Sequence, residues 1–380
     1  MQGGPVSRPR AVDRLFIRAQ TSAAASRVSG FRGCLDCMSV KLGLIGCGRQ
    51  APKHISGLTA WGAVDIIVAD ERPERAAALA AAHGVRAAGG VDEILADPEI
   101  VAVSICTPPA SHTGLIRRAI AAGKHFICEK PLCSDLEEAR ELQRATERAG
   151  LIGMVGYIYR FAPAFQFGAE VVAGASEGGE AAALGSVSSA LFRLGGPGSH
   201  DVWQHRSDGD GGAINEMMVH MIDLAIWYFG PVKQARLIAS EMRSKIRQIR
   251  GADVEADVED WVLGELMSQS GVRILIEADL TTPTFMQYAE VHGTNGTFMG
   301  SIQHDMASFV ECIEERAGFK AGRTPCQFSA RNLFEDQMGL FADCITGNKV
   351  LDRCTLGESV RLMETVEAMR ASAPVAVAAG

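Results

Sequence analysis

The feature that most constrains the fold is a short apolar run that stops on glycine. Val40-Lys41-Leu42-Gly43-Leu44-Ile45 leads directly into Gly46-Cys47-Gly48-Arg49-Gln50-Ala51. A run of this kind reads as a strand buried on both faces, as in parallel sheets. The Gly-x-Gly-x-x-Ala turn, with a helix expected from about Pro52, is the strand–turn–helix context that holds a dinucleotide pyrophosphate. Gly46 permits the tight turn, Gly48 leaves room for the backbone to approach the phosphates, and Ala51 allows close helix–strand packing. Arg49 and Gln50 lie in the same turn, and the helix N-terminus offers free N–H groups and partial positive charge. Taken alone, such glycines are an unspecific signal.

The elements that follow narrow the reading. Val64 to Ala69 is a second strand, and it ends at Asp70. An acid there binds the ribose hydroxyls of NAD and repels a 2′-phosphate. The competing role for Asp70 is an N-cap for the helix that follows, and Arg72 keeps NADP open. Val91 to Leu95 reads as a short helix and Ile100 to Cys106 as a strand. Its C-terminal loop carries Thr107, Pro108 and His112, candidates for cofactor contact at the sheet edge where ligands bind. Lys124 to Pro131 reads as a strand ending in Glu129-Lys130, with Ser134 and Glu137 as a capping box for the next helix. Leu151 to Gly156 reads as one more strand. This alternation makes a doubly wound parallel sheet.

Composition sets the outer bounds. The 380 residues, 47% hydrophobic and 22% charged, fit a two-domain globular enzyme. A net charge of −8 argues against a nucleic-acid or anionic-membrane binder. No apolar run approaches the roughly 20 residues of a membrane span. The ten cysteines lie in scattered, often apolar stretches, which suits reduced thiols and a cytoplasmic setting. Cys34 and Cys37 lack the context of a zinc or redox motif. Residues 1–37 are rich in Arg, Ser, Gly and Ala and show no steady period. They read as a transit peptide, a disordered tail or an extension ahead of a natural start at Met38, and the last is preferred. The expected organisation is that extension, a cofactor domain over 38–160, and a substrate and oligomerisation domain over 161–380 with C-terminal helices.

In the second part, Phe161 to about Ala175 reads as a helix and Ser186 to Leu194 as a strand. A helix then begins near Ala213, and its spacing puts Glu216, His220 and Asp223 on one face. By spacing alone His220 is equally a catalytic base or a hydrogen-bonded structural histidine. Strand-like runs follow at 232–242, 260–268, 272–280 and 287–292, and Asn295-Gly296 signals a hairpin. The last helices are expected at about 331–345 and 356–371.

GLIGCGRQA, VADERPERA, TPPASH, AGKHFICEKPL and GGAINEMMVHMID occur in that order. Together they resemble the glucose-fructose oxidoreductase / inositol dehydrogenase (Gfo/Idh/MocA) family, over roughly Val40 to Gly380. The resemblance implies a Rossmann domain, a second α/β domain with a large, mostly antiparallel sheet, and a nicotinamide cofactor between them. It implies a Glu129-Lys130-Pro131 motif with a cis Lys-Pro bond, with Glu129 and Lys130 at the cofactor. Lys130 and His220 are the expected catalytic pair, with Glu216 holding His220 or a substrate hydroxyl. Which of the two is the base is open. Two departures from the family pattern stand out: Glu216 where Asp is common, with Met218 where glycine is frequent, and Ile158 where Asn is frequent. Arg160 is retained, as a substrate or cofactor contact or as an interdomain salt bridge. Asp223 is expected at the substrate. Neither Tyr157 nor Tyr159 is assigned.

The expected activity is NAD(P)-dependent hydride transfer with a secondary alcohol of a sugar, sugar derivative or cyclitol. The alternative is a redox-neutral, NAD-dependent lyase or glycosidase. A cofactor-sensing regulator is disfavoured by retention of Lys130, Glu216 and His220. No metal is expected, because Glu216 and His220 lack a third ligand. The resemblance also implies an oligomer interface on the exposed face of the large sheet, expected as a homodimer or homotetramer.

Overall fold

The computed structural model describes residues 40–62, 64–176, 182–197, 201–303 and 305–372. The extension before Val40, with Cys34 and Cys37, lies outside the described residues. The first half alternates strand and helix: β1 (Val40–Ile45), α1 (Ala51–Trp61), β2 (Val64–Ala69), α2 (Pro73–His83), β3 (Arg86–Ala87), α3 (Val91–Ala96), β4 (Ile100–Ile105), α4 (His112–Ala121), β5 (His125–Cys128), α5 (Leu136–Arg148) and β6 (Gly153–Val155). The six strands form a wholly parallel sheet in the order β3-β2-β1-β4-β5-β6. Leu42, Leu44, Val68, Ala102, Val103, Phe126 and Ile127 are fully buried within it, as the continuous apolar runs require. The order reverses between β1 and β4, which opens a crevice at the C-terminal ends of the strands.

The helix cap after β5 differs from expectation. Ser134 is not the N-cap of α5. Asp135 is, its side chain accepting from Glu138 N at 2.8 Å. Ser134 Oγ donates instead to Asp210 in the second half of the chain. A carboxylate one residue later is the stronger acceptor for the free N–H groups.

The second half begins with a 3-10 turn at Ile158–Phe161 and α6 (Pro163–Ser176), then β7 (Val187–Gly195). A π-helical turn at Ile214–Met218 leads into α7 (Val219–Phe229). Then come β8 (Val232–Glu241), β9 (Ile246–Ile249), β10 (Ala252–Glu255), β11 (Trp261–Ser268), β12 (Arg273–Asp279), β13 (Met286–Gly293), β14 (Gly296–Ser301), β15 (Ser308–Cys312) and β16 (Gly322–Cys326). Two helices close the chain, α8 (Leu333–Ile345) and α9 (Leu356–Ala371).

Eight of these strands form one sheet, β16-β15-β14-β13-β7-β12-β11-β8. All its pairings are antiparallel except β7 with β12. Every residue of α7 except Trp227 is buried, which marks a core helix rather than a surface one. α8 packs on α1, and α9 packs on both α5 and β8, so the end of the chain ties the two sheets together.

The β13–β14 hairpin forms where Asn295-Gly296 announced it, for a different reason. Neither residue has positive φ, so the pair does not make the tight turn that favours Asn-Gly. Asn295 is buried instead. Its side chain donates to Ala183 O at 2.9 Å and Glu314 O at 3.1 Å, and accepts from Glu314 N.

All eight cysteines among the described residues are free thiols. No helix among those residues is long and apolar enough to cross a membrane.

Candidate functional site

β1 delivers the chain into the crevice at Gly46, whose φ is +93°. A Cβ there would lie 2.7 Å from Thr107 Cγ2 and 2.9 Å from the Cys106 carbonyl, so only glycine fits. At Gly48 an added Cβ would meet nothing nearer than Cys106 O at 4.0 Å. The outer side of the turn is therefore open to a ligand. α1 starts there without a side-chain cap and without an acid in its first turn. Pro52 has no N–H and Lys53 N donates to Gln50 O at 3.0 Å, so the N–H groups ahead of Pro52 are the ones left to meet an anion. Gln50 Oε1 is buried in the same turn without a hydrogen-bond partner.

Asp70 lies at the end of β2. Its Oδ2 accepts from Cys47 N at 2.7 Å and its Oδ1 from Arg72 N at 2.9 Å. It does not cap α2, whose N-cap is Arg72. Both oxygens keep lone pairs for further donors. An uncapped helix start, an open glycine turn and a carboxylate on the next strand fit a dinucleotide with free ribose hydroxyls.

Two residues expected at the cofactor are committed elsewhere. His112 is fully buried, with its ring nitrogens 2.8 Å from Pro131 O and 2.9 Å from Thr107 O. It fastens the loop after β4 to the bend after β5 and does not face the crevice. The Glu129 carboxylate is drawn inward to His54 Nε2 at 2.9 Å, and His54 reaches on to Ser104. Burial opposes its charge, but His54 together with the nearby Lys130 and His112 outweighs burial and holds Glu129 below the usual carboxylate range. Nothing in the local pattern marked His54 as its partner.

Lys130 follows β5 at a cis peptide bond to Pro131. Its Nζ lies 3.1 Å from Glu216 O, 3.3 Å from Asn215 O and 3.5 Å from Glu216 Oε2. Asn215 and Glu216 belong to the π turn, where the bonding step widens to i→i+5 and carbonyls become free to accept from outside the helix. Glu216 was expected to hold His220 or a substrate hydroxyl. Its Oε2 instead accepts from Gln204 Nε2 at 2.6 Å and faces Lys130. The wider turn takes Glu216 off the i,i+4 row that the spacing implied. Gln204 carried no sequence signal.

His220 sits at the start of α7, with its Nδ1 buried and unpartnered. Burial, then the charge of Lys130, pushes it well below the ordinary histidine value. It is therefore neutral at pH 7 and able to accept a proton.

Arg160 and Asp223, expected at the substrate, are locked to each other. Arg160 Nε and Nη2 donate to the two Asp223 oxygens at 2.8 and 2.7 Å, and Nη1 donates to Glu358 on α9. Their side chains are 1% and 2% exposed. Against the cost of burial, Asp223 and Glu358 hold Arg160 above the usual arginine value. The salt-bridge alternative describes Arg160, and Glu358 was legible only as part of a helix. Tyr157 is also buried, donating to Ser359 Oγ at 3.0 Å.

His205, beside Gln204, approaches Arg247 Nη1 at 2.8 Å. Burial and the Arg247 charge lower it to about 4. Its folded pKa thus lies below the unfolded value of about 6.5. The unfolded chain binds more protons between those values, so stability falls as pH drops from about 6.5 toward 4. His112, His125 and His220 are lowered in the same direction. His54, raised to about 10, and Asp223, raised to about 6, act in the opposite direction, so the His205 share is read by difference. His205→Asn is expected to shift the slope of urea midpoint against pH between 7 and 5 toward greater stability at the acid end than in the wild-type protein. An equal slope in the variant would remove His205 from the account.

Among the described residues no three His, Cys, Asp or Glu side chains are grouped to hold a metal ion.

A family model described as an oxidoreductase family with an NAD-binding Rossmann fold matches residues 40–157, and the Gfo/Idh/MocA C-terminal domain model matches 177–299. Inositol 2-dehydrogenase of Rhizobium meliloti (strain 1021) is 30% identical over 274 residues, covering 71% of this chain and 78% of that protein. The chain belongs to the Gfo/Idh/MocA oxidoreductase family. Another member, 1,5-anhydro-D-fructose reductase of Ensifer adhaerens, is 29% identical over 80% of this chain and 88% of its own length. A solved levoglucosan dehydrogenase, in complex with NADH and levoglucosan, superposes with a TM-score of 0.76 over 88% of this chain and 97% of that one; at 22% identity it attests the shared fold. As a Gfo/Idh/MocA protein the chain is an NAD-binding oxidoreductase. The redox-neutral lyase alternative finds no support in these relatives.

Proposed function

We propose that this Gfo/Idh/MocA protein exchanges a hydride between a nicotinamide cofactor and a secondary alcohol of a sugar, sugar derivative or cyclitol. The names of the inositol, levoglucosan and anhydrofructose relatives support that substrate range. The observation that carries the reading is the convergence of Lys130, Glu216 and a neutral His220 at the strand edge where Gly46 and Thr107 also emerge. The nicotinamide, when bound, accepts or returns the hydride. His220 takes the hydroxyl proton. Lys130 stabilises the developing alkoxide. The two π-turn carbonyls and Glu216 aim the ammonium group, and Gln204 fixes Glu216. Gly46, Gly48, Arg49, Gln50, Asp70, Thr107 and Pro108 form the dinucleotide face.

Asp70 favours NAD, since a carboxylate accepts from both ribose hydroxyls and repels a 2′-phosphate. Asp70→Ala is expected to weaken NAD binding by about 10- to 100-fold, the worth of hydrogen bonds to a charged group, and to weaken NADP much less. Equal losses in a titration of both cofactors would leave Asp70 only its bonds from Cys47 N and Arg72 N.

The proposed division into a cofactor domain over 38–160 and a substrate and oligomerisation domain over 161–380 is supported by the end of the parallel sheet at Val155. A homodimer or homotetramer would form on the outer face of the eight-stranded sheet, where Ile238 and Leu275 are exposed. The free thiols suit a cytoplasmic setting. Reaction class is tested by incubating the protein with NAD and ring-deuterated myo-inositol or levoglucosan. Deuterium in the reduced cofactor supports direct transfer from carbon; reduced cofactor without label contradicts it.

A further inference from the structure

Tyr159 stands beside His220, with Gln287 on its hydroxyl, and neither has a part in the roles above. Tyr159 leaves the 3-10 turn with its ring at a steep angle to the His220 imidazole, centroids 4.9 Å apart, and Phe165 backs it at 6.1 Å. Its Oη accepts from Gln287 Nε2 on β13 at 2.9 Å. Gln287 is itself fixed: its N donates to Gln303 Oε1 at 3.2 Å, and its O accepts from Ser301 Oγ at 3.1 Å.

This arrangement leaves chemistry unspent. Among the described residues the Tyr159 phenol proton meets no acceptor, and Gln287 Oε1 meets no donor. Burial raises Tyr159 above the ordinary tyrosine value, so it remains a donor. A donor beside an acceptor matches a hydroxyl, which gives one hydrogen bond and receives others. It does not match a carboxylate, which only accepts. Arg160 is already balanced by Asp223 and Glu358, and Lys130 is assigned to the reacting oxygen. A substrate carboxylate at the pair would lose water and face the Gln287 amide oxygen without a cation of its own.

We propose that Tyr159 and Gln287 are a specificity pair that binds an uncharged hydroxyl close to the reacting carbinol, selecting neutral polyols over sugar acids. The proposal rests on the dehydrogenase reading and narrows its substrate class. Three neutral probes (myo-inositol, levoglucosan, D-xylose) and two sugar acids (D-glucuronate, D-galacturonate) are offered with NAD to the wild-type protein, Tyr159→Phe and Gln287→Leu. The neutral set is expected to contain the best substrate, with kcat/KM at least about tenfold above either acid. Tyr159→Phe keeps the ring against His220 and removes one hydrogen bond. It is expected to raise KM for that substrate about tenfold, more than it lowers kcat, with NADH affinity unchanged. Gln287→Leu is expected to move KM the same way. Preference for a sugar acid, or unchanged KM in both variants, overturns the specificity pair while leaving the dehydrogenase intact. NADH binding without turnover of any of the five probes by the wild-type protein overturns both readings.

Discussion

Replacing Lys130 by alanine is expected to lower kcat by about 10²- to 10³-fold, the usual effect of removing a group aimed at developing charge. Lys130 Nζ sits among Asn215 O, Glu216 O and the Glu216 carboxylate, an acceptor cage that fixes the ammonium group to which the proposed mechanism assigns the alkoxide. The proposed dinucleotide face, Gly46, Gly48 and Asp70, lies after β1 and β2 rather than after β5. NAD affinity should therefore stay within about tenfold, the loss expected for at most one hydrogen bond. Glu216 keeps its bond to Gln204 in the variant, so the π turn should hold. Pre-steady-state turnover and NAD titration on the same preparation separate the two effects. A variant that turns over at the wild-type rate would sink the mechanism.

Arg160→Leu should destabilise the fold by about 3–5 kcal/mol, the cost of leaving a buried charge without its partner. Asp223 is 2% exposed and takes both its charge-assisted bonds from Arg160, so it cannot turn to water. The same change removes the link from the 3-10 turn to Glu358 on α9, almost two hundred positions away. Adding Asp223→Leu should recover much of the loss, because an apolar pair avoids the desolvation that the ion pair incurs. Urea unfolding of the single and double variants measures this. A stable Arg160→Leu protein with a raised KM would return Arg160 to the substrate site.

Whether a residue could be read from sequence depended on whether its environment is local. β1 and the glycine turn were legible because a buried strand, a positive φ at Gly46 and an open helix start are all set within a few residues. Five strands of the large sheet, β7, β8, β11, β12 and β13, were legible as apolar runs, whereas β15 and β16 were not read, and α9 was placed at its observed bounds, Leu356–Ala371. Arg160 and Asp223 were visible as charges, but their burial depends on α7 and α9 closing around them, which no local pattern encodes. Glu216 was visible as an acid four residues before His220. The π turn that swings it toward Lys130 and Gln204 was not, since helical spacing assumes a regular helix. Tyr159 could not be told from Tyr157 by alternation, because the chain leaves the strand at Val155 and enters a 3-10 turn. His112 and Glu129 sit at motif positions, yet their side chains turn inward to Pro131 O and His54.

The most direct test of hydride transfer from a sugar or cyclitol hydroxyl is absorbance in the NADH band. The purified protein would be mixed with NAD or NADP and a panel of cyclitols, aldoses, amino sugars and uronic acids. The expected result is a rise with NAD and at least one neutral polyol, absent in Lys130→Ala. Demonstrable NAD binding with no rise across the whole panel would contradict the account.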